Sequence, residues 1–198
     1  MQIIKEDLRN VILEQAEKEF LKNGFSNSSL RTIAKNSGTT IGNVYHYFEN
    51  KEAIFDALVS AEYKAFIHLM NHNNYANIPD DNISGMSVEG WRSFFSDYIE
   101  SLMPVFTTGF ILLINKSSGT KYETAKDEFT SVLKSHIEEH ISEFNVNLTP
   151  GFSGVVAEQL IVGLLYIIEN YTDSSKKKSL ICDMFVFFIS GILQNTES

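Results

Sequence analysis

The chain has 198 residues, of which 43% are hydrophobic and 21% are charged, and its formal net charge is -9 at pH 7. These values are ordinary for a soluble globular protein, and the length fits one large domain or two small ones. The single cysteine, Cys182, excludes an intrachain disulfide framework and fits a reducing cytoplasm. No apolar signal segment follows Met1, and the apolar stretch Leu180 to Leu193 is too short to span a membrane.

The charge is unevenly spread along the chain. Residues 1–55 carry seven Lys/Arg and seven Asp/Glu, whereas the remainder carries nine against eighteen and so holds all of the net charge. An acidic body is repelled by nucleic acid, so only the amino-terminal module is expected to touch it.

The first predicted helix is amphipathic and runs from Asp7 to Leu21, with Gly24 as its C′ residue. A helical hairpin follows. Ser28 or Ser29 is expected to cap its first helix, Ser37-Gly38 ends that helix, and Thr39 or Thr40 caps the second. Two short helices joined by a turn with glycine predict a helix-turn-helix.

The remaining pattern is helical throughout. Asn50 is a good N-cap for a helix running from Lys51 past His68, and Asn71 to Met86 reads as an irregular link. Further helices are predicted over residues 87–103, 105–114, 122–144, 152–171 and 176–193. The fold class is therefore all-α, with about nine helices. We expect a helix-turn-helix domain over residues 1–50 and a larger helical ligand-binding and dimerisation domain over residues 51–198.

The hairpin is locally basic. Between Ser26 and Phe48 there are two cations, Arg31 and Lys35, and no carboxylate. A surface that docks on phosphate cannot carry acids, so this stretch is the candidate DNA-binding surface. The alternative is a hairpin that simply belongs to the core, because helix-turn-helix geometry also occurs outside DNA-binding proteins.

The last two helices carry more apolar surface than one small helical domain can bury, which marks an interface, and a symmetric dimer is the commonest solution. The alternative is an entirely intrachain core. The residues predicted for the dimer interface are Val156, Leu160, Leu164, Ile167, Phe185, Phe188 and Ile192.

Four of the five histidines form i, i+4 pairs, His68/His72 and His136/His140. The run from His136 to His140 fits the H-x-x-E-H pattern of zinc hydrolases. Nothing in the sequence marks a third ligand or a substrate cleft, so we expect no metal, no cofactor and no enzyme.

The order of these parts resembles the TetR family of transcriptional regulators. The resemblance rests on Phe20-Leu21-Lys22-Asn23-Gly24-Phe25, Leu30-Arg31-Thr32-Ile33-Ala34, Ser37-Gly38, Val44-Tyr45-His46-Tyr47-Phe48 and Asn50-Lys51-Glu52, about a quarter of the chain. Two positions depart from the family pattern: Ile41-Gly42 replaces a commonly polar pair, and Glu49 stands where a basic or small residue is frequent.

The resemblance implies a cytoplasmic homodimer that binds a palindromic DNA operator, most often as a repressor, and is released by a small hydrophobic or amphipathic effector. Carried over by position, the residues facing the bases are Arg31, Ile41, Gly42, Tyr45 and His46. Those facing the phosphates are Ser29, Thr40, Asn43, Tyr47 and Lys51, although Tyr47 could equally serve packing. The alternatives left open are a small-molecule or metal-sensing helical dimer without operator binding and, more remotely, a zinc hydrolase.

Aromatic residues of the second domain offer an apolar pocket with a few polar handles, which the resemblance makes the effector site. The bland alternative is that they are ordinary core residues. The predicted pocket consists of Trp91, Phe94, Phe95, Tyr98, Met103, Phe106 and Phe110.

Overall fold

The structure, a computed structural model, describes residues 2–71, 87–143 and 148–193. Over these residues the chain forms nine α-helices and no strand, which confirms the predicted all-α class. Pro104 lies in a 3-10 turn over Met103–Val105 that separates the fifth helix from the sixth. The helices are α1 (Gln2–Asn27), α2 (Leu30–Asn36), α3 (Ile41–Tyr47), α4 (Lys51–Asn71), α5 (Val88–Leu102), α6 (Thr108–Asn115), α7 (Ala125–Glu143), α8 (Phe152–Asn170) and α9 (Ser174–Leu193).

Several helix ends differ from the predicted ones for identifiable reasons. The span of α1 is interrupted at Gly24, whose φ of 73° and ψ of 163° combine a positive φ with an extended ψ. Gly24 is therefore the predicted break, but not in the left-handed helical conformation. The start of α9 lies two residues earlier than predicted because Asp173 accepts a hydrogen bond from the backbone N–H of Lys176 at 2.7 Å. The predicted link over residues 71–86 falls, from residue 72 onward, outside the described residues.

The helices are grouped in two compact units, the first comprising Met1–Lys64 with Thr108–Lys126 and the second Ala65–Thr107 with Asp127–Ser198. The sequence pattern predicts α6 within the second domain, whereas α6 packs against α1 in the first unit. The predicted domain boundary after residue 50 separates a DNA-binding part from a ligand-binding part, which the division into compact units does not test. It therefore stays a prediction.

The core of the first unit is built around three phenylalanine rings. Phe20, Phe25 and Phe55 pack with centroid distances of 5.3–5.8 Å. All three are buried, and so are Ile33 of α2 and Val44 of α3. The aromatic cluster therefore fixes α1 and α4 beneath the helical hairpin, and the hairpin presents its polar face to solvent.

Loop contacts within the first unit tie the α1–α2 turn to the loop after α6. The N–H of Phe25 donates to the carbonyl of Lys116 at 2.9 Å, and the hydroxyl of Ser26 donates to the carbonyl of Ser118 at 2.6 Å. Further along the same loop, Tyr122 donates its hydroxyl to Asp56 of α4 at 2.6 Å. These bonds hold the turn that leads into α2 from two sides.

In the second unit α9 packs against both α5 and α8. A bidentate contact joins α5 to α9, with Nε and Nη2 of Arg92 lying 3.0 and 2.6 Å from Oδ1 of Asp183. On α8, a Cβ added at Gly163 would lie 2.5 Å from the sulfur of Met184, so the close approach of the last two helices depends on this glycine.

Helix α8 is long and apolar enough in composition to cross a membrane, unlike the shorter stretch in α9 that the sequence analysis considered. Of its most apolar window, 44% is buried inside the protein. The buried residues lie on one face of α8, which is also the pattern of a helix that packs against the core of a folded domain.

Candidate nucleic-acid interface

The turn between α2 and α3 is set by local sequence signals. Gly38 has a φ of 65°, its N–H donates to the carbonyl of Lys35, and the N–H of Thr39 donates to the carbonyl of Ala34. This pair of bonds is a Schellman motif, which ends α2 and satisfies its last carbonyls. Thr40 then caps α3, since its hydroxyl accepts from the N–H of Asn43 at 3.2 Å. Both predictions for this turn are confirmed.

The start of α2 is built differently from the prediction. Ser29 occupies the N-cap position but makes no side-chain cap bond, and Ser28 uses its hydroxyl to donate to the carbonyl of Phe25. Instead, the buried carboxylate of Glu19 in α1 accepts from the N–H of Ser29 at 3.2 Å. The carboxylate of Glu19, ten residues earlier, therefore takes the place of a local side-chain cap. The hydroxyl of Ser29 makes no hydrogen bond to the described residues.

The second helix of the hairpin presents its predicted reading face to solvent. Ile41 and Tyr45 are exposed by 38% and 52%, and Gly42 and His46 are exposed as well. Residues at these spacings share one face of a helix. Val44 and Phe48, by contrast, are buried, so the helix has one inner and one outer face.

Arg31 lies exposed on α2, where it is one of the two cations of the acid-free stretch. With Ile41, Gly42, Tyr45 and His46, it completes the set of five predicted base-facing residues, and all five are accessible. Their contact with DNA stays a prediction.

Gly42 is not required by the packing of the protein. The nearest side-chain atom to a Cβ added there is the hydroxyl oxygen of Thr40, at 3.8 Å. Glycine in a helix is less favourable than alanine by about 1 kcal/mol, and among the described residues no close neighbour of that Cβ position requires glycine. Because Gly42 has no side chain, the exposed face of α3 has a shallow depression at this position.

The predicted phosphate-facing residues fall into two groups. Thr40 and Asn43 are exposed, although the amide of Asn43 already donates to the hydroxyl of Thr39 at 3.0 Å. Ser29 and Tyr47 are half-buried at the edge of the hairpin.

Lys51 differs from the prediction. Its ammonium donates to the carbonyls of Phe25 and Ser28 at 2.6 and 3.1 Å and lies 4.3 Å from the centre of the Phe25 ring. Burial lowers the pKa of Lys51, and the carboxylate of Glu19 opposes that shift. Because most of its hydrogen-bonding capacity is used inside the domain, the structure assigns Lys51 to the support of the α1–α2 turn rather than to phosphate.

Arg9 is a further cation near the hairpin, and it was not among the residues predicted to contact DNA. The guanidinium of Arg9 in α1 lies 5.2 Å from the centre of the Phe48 ring, at the end of α3. Arg9 was not singled out because it sits on the polar face of an amphipathic helix, where a cation is unremarkable. Its position places a third positive charge beside the acid-free stretch.

Comparison with known proteins bears directly on this hairpin. Residues 12–58 match the family model described as "Bacterial regulatory proteins, tetR family". The HTH-type transcriptional regulator UidR of Escherichia coli is 36% identical over 59 residues, which is 30% of this chain and 30% of UidR. Over residues 12–58, about a quarter of its length, the chain is therefore similar to the TetR family of regulatory proteins.

Two solved structures extend the likeness to the whole fold. A TetR-family transcriptional regulator from Bordetella parapertussis superposes with a TM-score of 0.63 at 14% identity, covering 98% of this chain and 99% of that one. AibR, solved with isovaleryl coenzyme A and operator DNA, gives a TM-score of 0.53 at 16% identity, covering 89% of this chain and 97% of that one. At such identities the likeness establishes the fold: an amino-terminal helix-turn-helix domain followed by a larger helical domain.

The matched family model and UidR are both described as regulatory proteins, so these comparisons lend no support to the zinc hydrolase alternative. Among the described residues, no three His, Cys, Asp or Glu side chains lie together as a metal site would need. His136 is half-buried, with Nδ1 at 3.9 Å from a carboxylate oxygen of Glu139, and the side chain of His140 lies outside the described residues.

The predicted effector pocket in the second domain is not assembled as expected. Trp91 and Phe95 stack on each other with centroids 5.8 Å apart, and both are buried. Phe106 and Phe110 are buried too, but Phe110 belongs to the first unit and the other six residues to the second. The cavity found in the second unit is lined by none of the seven predicted residues, namely Trp91, Phe94, Phe95, Tyr98, Met103, Phe106 and Phe110.

The predicted dimer face of α8 points the wrong way. Val156, Leu160, Leu164 and Ile167 are at most 6% exposed within the single chain, so they belong to its core. The outer stripe of α8 is formed by other residues, at alternating spacings of three and four along the helix. These exposed residues are Phe152, Val155, Gln159, Val162, Tyr166 and Glu169.

On α9, Phe187 is the most exposed large apolar side chain, at 76%. The predicted interface residues Phe185 and Phe188 are half-buried, and the side chain of Ile192 lies outside the described residues. The prediction that α8 and α9 form an interface stays a prediction, with its residues on α8 corrected to the outer stripe.

Proposed function

We propose that the chain is a ligand-responsive transcriptional repressor that binds a palindromic operator as a homodimer in the cytoplasm. The observation that carries this proposal is the exposed, acid-free outer face of the helix-turn-helix, which lies in a chain whose remainder is acidic. Phosphate attracts the hairpin and repels the rest of the molecule, so binding is oriented.

Within this face the residues divide by chemistry. Arg31 can grip guanine through O6 and N7, and Ile41 can contact a thymine methyl group. Tyr45, exposed by 52%, is more exposed than the neighbouring Tyr47 and Phe48, and it is the second expected base contact. Thr40 and the first N–H groups of α3 suit phosphate oxygens, with Arg9 as an added cation. Lys51 acts indirectly, by holding the turn that positions α2.

The dimer is expected to form through the outer stripe of α8. Val155, Val162 and Tyr166 are each more than half exposed and follow one another at heptad-like spacings of seven and four residues. Apolar residues at that spacing form the seam of paired helices. Two copies related by a two-fold axis would present two reading helices to the half-sites of an inverted repeat.

A small hydrophobic or amphipathic effector would release the DNA. AibR, which shares this fold, was solved with both isovaleryl coenzyme A and operator DNA. To shift a population from 1:99 to 99:1, an effector must bind the released state more tightly by about 5.5 kcal/mol.

The deciding experiment is the selection of genomic fragments by the purified full chain, followed by sequencing. We expect one enriched inverted repeat whose half-sites are about one helical turn apart. Enrichment that follows only base composition would contradict operator binding, and it would favour a small-molecule-binding dimer without operator binding.

A further inference from the structure

The second unit contains an open cavity of about 630 Å³ between the start of α5, the start of α8 and the second half of α9. Sites for small molecules commonly measure about 300–1,000 Å³. The cavity is lined within one unit of one chain, so its shape does not depend on how the two units are arranged.

The walls of this cavity are apolar, with a buried floor and an exposed rim. Val156 and Val186 form the floor and are 3% and 5% exposed. Around the opening stand Val88, Phe152 and Phe187, which are exposed by 51%, 41% and 76%. Isolated exposed apolar side chains are common on protein surfaces, whereas three at one opening form a patch of the kind that marks a binding site.

One ion pair supplies the charged groups of the site, and Ser190 adds a hydroxyl to its lining. Nε and Nη2 of Arg92 both bond to Oδ1 of Asp183, and among the described residues no hydrogen bond is made to Nη1 or to Oδ2. Arg92 and Asp183 are the charged residues among those lining the cavity, so their charges cancel. The cavity therefore offers a donor and an acceptor side by side without net charge.

From this arrangement we infer that the cavity binds a neutral amphipathic small molecule. Its apolar body covers the rim residues, and its polar group accepts from Arg92 and donates to Asp183. An anion would face Asp183 in a part of the chain where acids outnumber cations eighteen to nine, and a cation would face Arg92. The inference rests on the proposed function in one respect, because it gives the effector of that function a site and a chemical class.

The test uses the purified full chain and a matched pair of fluorescent probes. N-phenyl-naphthylamine is neutral, aromatic and carries one N–H donor, and anilinonaphthalene sulfonate has the same rings with a negative charge. We expect saturable binding of the neutral probe at one site per chain and binding of the anion weaker by about tenfold. Trp91, the single tryptophan of the chain, precedes Arg92 and should be quenched by the bound neutral probe.

Gly191→Leu locates the site. Gly191 lines the cavity, and a Cβ added there has no heavy atom within 4 Å, so the substitution adds apolar bulk at the cavity wall from a Cβ that meets no neighbour. This variant should bind the neutral probe at least about tenfold more weakly. Gly154→Leu is the matched control, because the nearest atom to its Cβ is 3.9 Å away and Gly154 does not line the cavity.

Equal affinity of both glycine variants, or equal affinity for the two probes, would overturn the inference. Since Phe152 belongs to the outer stripe of α8 proposed for the dimer, and Phe187 is exposed on α9, sedimentation is measured on the same samples. If Gly191→Leu lost the probe only together with the dimer, the site would belong to the interface and the single-chain cavity would be wrong. All titrations are made without DNA, so failure to bind the probe is distinguishable from failure to bind an operator.

Discussion

The ammonium of Lys51, the first residue of α4, donates a hydrogen bond of 2.6 Å to the carbonyl of Phe25, twenty-six residues earlier. The same ammonium reaches the carbonyl of Ser28 and lies over the Phe25 ring. On the other side of the turn, Glu19 holds the N–H of Ser29. The entry to α2, and with it the orientation of the reading hairpin, is thus fixed by two charged side chains of α1 and α4.

Replacing Lys51 with Met should destabilise the protein, because methionine has a side chain of similar length but lacks the ammonium that lies 4.3 Å from the centre of the Phe25 ring. Hydrogen bonds to a charged group contribute about 1.5–3 kcal/mol, and we expect a loss of unfolding free energy in that range by urea titration. Lys35→Met is the control, because Lys35 is an exposed cation of α2. If K51M unfolded like the wild type but bound every DNA sequence more weakly, Lys51 would be a phosphate contact after all.

Asp56 provides a pH-dependent share of stability. Hydrogen bonds from Lys121 and then from Tyr122 lower its pKa in the folded state. A lowered carboxyl pKa stabilises the fold above the ordinary Asp value of about 3.9, and this stabilisation is lost as the pH falls through the folded-state pKa.

The expected signature is a difference between the wild type and Asp56→Asn that is largest above pH ~5 and shrinks on acidification. Unfolding free energies by urea titration at several pH values measure it. A difference that stayed constant down to pH ~3 would mean that it does not depend on the charge of Asp56.

Gly109 of α6 lies close against α4. A Cβ added there would lie 2.9 Å from the backbone carbonyl of Leu58 and 2.7 Å from Cδ of Glu62. The glutamate can move, but the carbonyl cannot, so Gly109→Ala should destabilise the chain by about 1–3 kcal/mol despite the better helix propensity of alanine.

The matched control for this packing effect is Gly154→Ala, whose Cβ meets nothing closer than 3.9 Å. Alanine should leave the stability there unchanged or raise it by up to about 1 kcal/mol. Equal melting temperatures for the two variants would show that α4 and α6 can separate without loss.

How far the sequence predicts this structure depends on the range of the interaction. The Schellman turn at Gly38 and the caps at Thr40 and Asn50 were predicted, because each involves groups within five residues of one another. The roles of Lys51 and Glu19 were not, because their partners lie 26 and 10 residues away. Interactions between residues close in sequence can be predicted from the sequence pattern. Contacts between residues far apart in sequence depend on how the helices pack, so they could not be predicted.

The prediction of which face of α8 forms the dimer interface was wrong for a different reason. The helix is apolar nearly all round, so hydrophobic periodicity could not tell the side facing the core from the side facing a partner. The predicted set was internally consistent and lay on the inner face, as the burial of Val156, Leu160 and Leu164 shows. The predicted pocket failed similarly, because an aromatic stripe such as Trp91 and Phe95 can fill a core as readily as line a cavity.

Arg31→Ala should weaken specific DNA binding by about 1–3 kcal/mol and relax discrimination at one base pair, because arginine recognises guanine through a bidentate contact. Gel shifts with the selected operator, its single-base variants and random DNA measure this. Lys35→Ala, on the same helix, should weaken all sequences alike. Equal losses on operator and random DNA for R31A would show that Arg31 only contacts phosphate.

Val162→Asp should dissociate the dimer. Val162 is 52% exposed at the middle of the outer stripe of α8, so aspartate there is well solvated in a monomer but would be buried beside its symmetry mate in a paired helix. Sedimentation should show a monomer with unchanged helix content, and operator affinity should fall because a half-site alone supplies fewer contacts. Ser131→Asp adds the same charge at an exposed position of α7 and should remain dimeric. A V162D protein that stayed dimeric would exclude the outer stripe of α8 as the seam and leave the exposed part of α9 around Phe187 as the surface to test next.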